Sequence, residues 1–119
     1  MFDKRFAVYE AIRQLLFLYG SNDEVDPNRA NELFAKAKES RWLLSNDIYL
    51  YVVYELYPNV GKLQAARTAV KNMREDGDLR VATKLRQDNI KALKDAMDWV
   101  NVEAKKLDDR FVGLLQLEH

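Results

Sequence analysis

The chain reads as an all-α protein. Two short helices pack on a long antiparallel helical hairpin, giving four helices with a coiled-coil-like seam. Three observations predict this. Apolar residues recur at alternating steps of three and four through the long segments. Turn and cap residues gather at two places, Gly20–Pro27 and Gly77–Asp78. The one strand-like run, 47–57, has no second strand candidate to pair with.

Helix one is expected from Asp3, which can cap it with its carboxylate, to Tyr19. Val8, Ile12, Leu15 and Tyr19 share one face. Gly20 suits the C-terminus, and Ser21, Asn22 and Asp23 suit the turn. Helix two opens with Asp26 as N-cap and Pro27 at the first helical position, where its missing N–H costs nothing. Its apolar face is Ala30, Leu33, Phe34 and Ala37, and it should end near Ser40. Arg41–Leu44 is then a short corner, expected to tuck Trp42 and Leu44 under the bundle.

The stretch SNDIYLYVVYELYPNVGK, Ser45 to Lys62, packs four tyrosines around Val52 and Val53 and locally favours a strand. Its longer-range pattern says helix. Ser45, Tyr49, Val52, Leu56, Asn59, Leu63, Ala66, Val70 and Met73 keep one register through Pro58, and only Ser45 and Asn59 among them are polar. The spacing therefore predicts one helix over Asn46–Glu75, bent at Pro58 because proline removes a hydrogen bond and crowds the carbonyl of Tyr54. Tyr49 lies on the seam. Tyr51, Tyr54 and Tyr57 spread around the other faces, and a helix apolar nearly all round is expected to be buried, with a partner-binding surface as the alternative.

Gly77 and Asp78 make the next turn. Helix four is expected over Leu79–Leu115, with the seam Ile90, Leu93, Met97, Val100, Ala104, Leu107, Phe111 and Leu114. Trp99 lies off the seam and should be partly buried where helix one or two meets helix four. At about 1.5 Å per residue helices three and four each reach roughly 45–55 Å, so the shorter pair leaves part of the hairpin protruding.

The 119 residues suffice for one domain, 1–116, and 48% are apolar while 32% are charged. Leu117, Glu118 and His119 match the start of a Leu-Glu-polyhistidine purification tag and carry no function. The 19 acids balance the 19 bases, and setting Glu118 aside leaves a net charge near +1, too little for a global pull toward nucleic acid or membrane. There is no cysteine and no histidine before His119. That removes thiolate chemistry, the usual base beside a serine, and the Glu-x-x-His pairs of carboxylate metal sites in bundles. Ser21, Ser40 and Ser45 sit at helix ends, where capping explains them. Asp108 and Asp109 are adjacent and point about 100° apart on a helix, as a solvated face paired with Lys105 and Lys106. No enzyme activity, cofactor or metal is expected.

One local excess of charge stands out. From Lys62 to Arg86 there are seven bases and three acids. Arg67, Lys71, Arg74, Arg80 and Lys84 would flank the hairpin turn as a contact for anionic lipid or nucleic acid. Nucleic acid is the weaker of the two, because no aromatic residue interleaves with the bases. A protruding hairpin kept soluble by charge is the reading favoured over such a contact.

The phrase FDKRFAVYEAI, Phe2–Ile12, resembles the opening of the soluble part of a group of uncharacterised bacterial proteins. WLLSNDIYLYV, Trp42–Val52, and WVNVEAKKLDDRFVGLLQ, Trp99–Gln116, are similar to the middle and end of the same group, with Leu44 where the group often has phenylalanine. These are helix-packing patterns, and they bring no functional residue. The resemblance implies a transmembrane helix upstream of Phe2, and hence a cytoplasmic domain tethered to the inner membrane. The expected function is a non-enzymatic interaction or scaffold domain, with a protein partner or a homo-oligomer; binding through the basic tip is the alternative.

Overall fold

A computed structural model describes the backbone of residues 4–21, 24–76 and 83–116, and their side chains except those at 74–76, 83 and 113–116. Every element among the described residues is helical: α1 Lys4–Gly20, α2 Pro27–Lys38, α3 Ser40–Leu43, α4 Asn46–Tyr51, a π-turn Val52–Leu56, α5 Tyr57–Asp76 and α6 Thr83–Gln116. The expected Asp3 cap, the Gly77–Asp78 turn, the start at Leu79 and the Leu114 side chain lie outside the described residues.

The periodicity of the first two helices is observed as burial. Val8, Ile12, Leu15 and Tyr19 of α1 face the core, joined by Ala11 and Leu16. Ala30, Leu33, Phe34 and Ala37 of α2 do the same. Asp26 caps α2 in extended backbone, accepting from the Asn28 N–H at 3.0 Å, with Pro27 directly after it. α1 packs on α2 and on α6, and α5 packs on α6. Gly20 lets α6 approach closely: a Cβ there would lie 2.7 Å from Asn101 Oδ1.

The corner after α2 differs from expectation. α2 stops at Lys38, and Ser40 opens the single turn α3. Trp42 is 72% exposed instead of tucked under the bundle, and Leu43 and Leu44 are the residues that pack on the core. One turn presents only one face inward, and the leucines occupy it. Ser40 is not a cap either, since it is buried with its hydroxyl unpartnered. Ser45 is one: in extended backbone, its Oγ accepts from the Ile48 N–H at 3.2 Å.

Helix continues from Asn46 to Asp76, with the proline's disturbance taken up one turn earlier. Pro58 has no N–H, and its ring crowds the preceding turn. The turn widens, so the Tyr57 N–H reaches back five residues to the Val52 carbonyl. Asn59 Nδ2 donates to the Glu55 carbonyl at 2.7 Å. The extra residue shifts the register. Ile48, Val52, Leu56 and Val60 are buried at steps of four, followed by Leu63, Ala66 and Val70. Val60 takes the place expected for Asn59, and Ile48 and Tyr51 lie deeper than Tyr49.

The tyrosines divide accordingly. Tyr51 is in the core, while Tyr54 and Tyr57 are exposed. The seam of α6 also divides. Val100, Leu107 and Phe111 are fully buried, Leu93 and Met97 are half-buried, and Ile90 is 50% exposed. Ala104 is exposed and Glu103 takes the buried position beside it. α1 supplies the cover, through Tyr9 stacked edge-on against Phe111 at 5.3 Å. Trp99 is half-buried against the core. The molecule measures 61 × 25 × 20 Å.

Candidate functional site

The expected basic tip is not a single cluster of free charge. The half-buried Arg67 donates from its guanidinium to the carbonyl of Tyr19 at 3.0 Å and to that of Ser21. These carbonyls close α1, where the helix dipole favours a cation and the last acceptors lack partners. Burial raises the pKa of the Tyr19 phenol, and nearby Arg67 opposes the rise. Lys71 Nζ lies 3.0 Å from Glu24 Oε1. Two of the five bases therefore hold the α1–α2 connection onto α5. Lys84 is exposed on α6; Arg80 and the side chain of Arg74 lie outside what is described.

Arg67 and Lys71 also border a cleft of about 780 Å³ that sequence reasoning did not find. Val25, Val70, Leu93 and Met97 give it an apolar floor, and Glu24, Gln64 and Asn72 add polar edges. Its signal in the sequence was the pair Leu93 and Met97, seam positions beyond the reach of α1. Its cations already face protein acceptors, so it is no ready anion pocket.

A second polar group lies inside. Glu103 is 7% exposed, and its carboxylate accepts from Arg110 Nη2 at 3.1 Å, with Lys106 Nζ at 3.9 Å. The Arg110 guanidinium sits 3.9 Å from the centroid of the Tyr51 ring, a cation–π contact. Burial first, then the neighbouring Glu103 carboxylate, raises the Tyr51 phenol's pKa, although no partner meets its hydroxyl with ordinary hydrogen-bond geometry. Asp108, expected on a lysine-paired face, instead accepts from the Tyr9 hydroxyl at 2.5 Å, which raises that phenol. Lys106 pairs with Glu103. These contacts knit α4 and α1 to α6. Among the described residues no three acidic or histidine side chains gather as a metal site would need.

The feature best shaped to meet another molecule is the outward face of α4 and α5. Leu50, Tyr54, Tyr57, Gly61, Ala65 and Thr68 follow at steps of four, three, four, four and three, and all six are exposed. None is charged. Tyr54 is 71% exposed. Tyr57 is held edge-on by Phe34 at 5.1 Å, and Lys38 Nζ lies 5.8 Å from its ring. Such a face offers amphipathic rings and small residues, which suit contact with protein more than chemistry. The sequence favours the core for these tyrosines over a partner-binding surface; the uncharged continuation through Gly61, Ala65 and Thr68 is the signal that places them outside. No protein-family model matches the chain, and no curated protein and no solved structure matches it either.

Proposed function

We propose that the protein is a non-enzymatic interaction or scaffold domain that docks protein through the outward face of α4 and α5. In this reading α1 and α2 brace a long antiparallel hairpin. Met73 meets Asn89 and Tyr51 meets Arg110, so positions rise on one helix as they fall on the other, which supports that arrangement. The buried series Val100, Leu107 and Phe111 supports a coiled-coil-like seam in the covered half.

One observation carries the docking role. In a chain with 32% charged residues, six successive outward positions of an exposed helix face carry none, and two are tyrosines more than half exposed. An exposed helix face with no contact to make is ordinarily charged. Membrane tethering, implied by the resemblance of Phe2–Ile12, belongs to the same proposal; no described helix is long and apolar enough to cross a membrane.

The test is a photo-crosslinking aromatic residue at Tyr54, in living cells that make the protein, with the same residue at exposed Lys105 on α6 as control. Discrete protein adducts are expected from position 54 and not from 105. Absence of any adduct at 54 counts against docking on this face.

A further inference from the structure

We infer that the outward face of α4 and α5 pairs with a second copy of the same chain, antiparallel, about a two-fold axis beside Asn59. This deepens the docking role proposed above and rests on it.

Residue size changes in order along the face. Its first half carries the large residues Leu50, Tyr54 and Tyr57, and its second half the small ones Gly61, Ala65 and Thr68. An antiparallel copy sets each large residue against a small one. Tyr57 meets Gly61 of the second copy, Tyr54 meets Ala65, and Leu50 meets Thr68. A parallel pair would instead stack tyrosine on tyrosine and leave a gap at glycine on glycine. Closed two-fold pairing of one self-complementary patch is the commonest form of protein self-association.

Charge points the same way. Glu55 and Lys62 are exposed and flank the face on one side, seven residues apart around the same centre. Among the described residues neither has an ion-pair partner. In the antiparallel pair each Glu55 meets Lys62 of the other copy, giving two symmetry-related ion pairs. The parallel alternative sets each flank against the opposite flank of the other copy and leaves both charges without this pairing.

Gly61 supplies an independent reason. It lies inside a helix, where glycine is less stable than alanine. A Cβ at this position would meet nothing within 4 Å, so the monomer gives no reason for glycine there. The Tyr57 ring of a second copy does give one. Phe34 already fixes that ring, so little side-chain freedom is lost on pairing.

The contact runs about 27 Å, from Leu50 to Thr68. That is at the small end for a specific interface, so the dimer should form and dissociate in the micromolar range. Sedimentation of the full chain from about 1 to about 200 µM spans that range. A monomer–dimer equilibrium is expected for the natural sequence. Glu55→Lys and Lys62→Glu should each weaken it roughly tenfold, by turning two attractive pairs into repulsive ones. An equimolar mixture of the two variants should regain the original affinity, because every 55–62 contact in the mixed dimer is again attractive. Gly61→Leu should abolish pairing while helix content and thermal midpoint hold or rise, since its side chain enters open space in the monomer and a helix favours leucine over glycine. A natural chain that stays monomeric, or a mixture that fails to recover, overturns the inference. A monomeric chain whose position 54 still crosslinks to a different protein overturns self-pairing alone and keeps the docking role. A monomeric chain with no adduct overturns both.

Discussion

Arg67 joins parts of the chain 48 residues apart, α5 to the last carbonyls of α1. A planar fork can serve the Tyr19 and Ser21 carbonyls at once, which a lysine ammonium on its flexible stem does poorly. Arg67→Ala should lower unfolding stability by about 1–3 kcal/mol, because two acceptors lose a charged donor, and Arg67→Lys should recover only part of it. Urea denaturation reads both. The sequence shows Arg67 as one charge in a basic run, but its partners come from tertiary packing, which local pattern does not carry. Glu103 teaches the same lesson from the other side. Periodicity chose Ala104 for the seam, yet the carboxylate is accepted inside because Arg110 and Lys106 accompany it. Tyr51 gives a pH-dependent case. Its folded-state pKa is raised above the roughly 10 of a free phenol, so the unfolded chain loses this proton first. Its contribution to stability is complete below about pH 10 and is lost as the pH climbs from there through the raised value. Tyr51→Phe should flatten the alkaline loss of stability in denaturation measured from pH 8 to 11. Near neutrality it should change stability by less than about 1 kcal/mol, because the hydroxyl has no partner. Tyr9 and Tyr19, also raised, leave a residual slope.

At the scale of elements, caps and short-range periodicity were readable because both are local. Asp26, Pro27 and the α1 and α2 faces follow from spacing and side-chain chemistry alone. The helix through Pro58 was readable as continuous, since apolar residues keep their rhythm on both sides. The π-turn was not, because sequence marks a proline without saying which neighbouring turn yields. Its signature, Val60 buried in place of Asn59, looks in the sequence like one imperfect position. The turn holds one residue more than an α-helical turn needs. Removing Tyr54 together with Pro58→Ala should therefore leave an uninterrupted α-helix with both flanks still facing the core. Removing Ala65 instead rotates one flank by about 100° and should abolish the fold. Far-UV circular dichroism with thermal melting separates the outcomes: a cooperative transition for the first variant, none for the second.

For the whole molecule, the helical character of α6 was legible, but not which of its apolar positions receive cover. That depends on where α1 ends, and α1 meets α6 around Val100–Phe111. Amides of 86–92, beside exposed Leu85 and Ile90, should exchange hydrogen orders of magnitude faster than those of 100–111, because little apolar burial resists their local opening. Mass-spectrometric exchange at several quench times reads this directly. The seating of Tyr9 between Phe111 and Asp108 has a consequence for synthesis on the ribosome. The contact joins positions 99 apart, so the first helix finds its partner only when the last one has emerged. At about 5–20 residues per second, that wait is on the order of 5–20 s. During it, Val8, Ile12 and Leu15 have α2 beside them and no α6, which makes the nascent chain a client for whatever shields apolar helices in the cell.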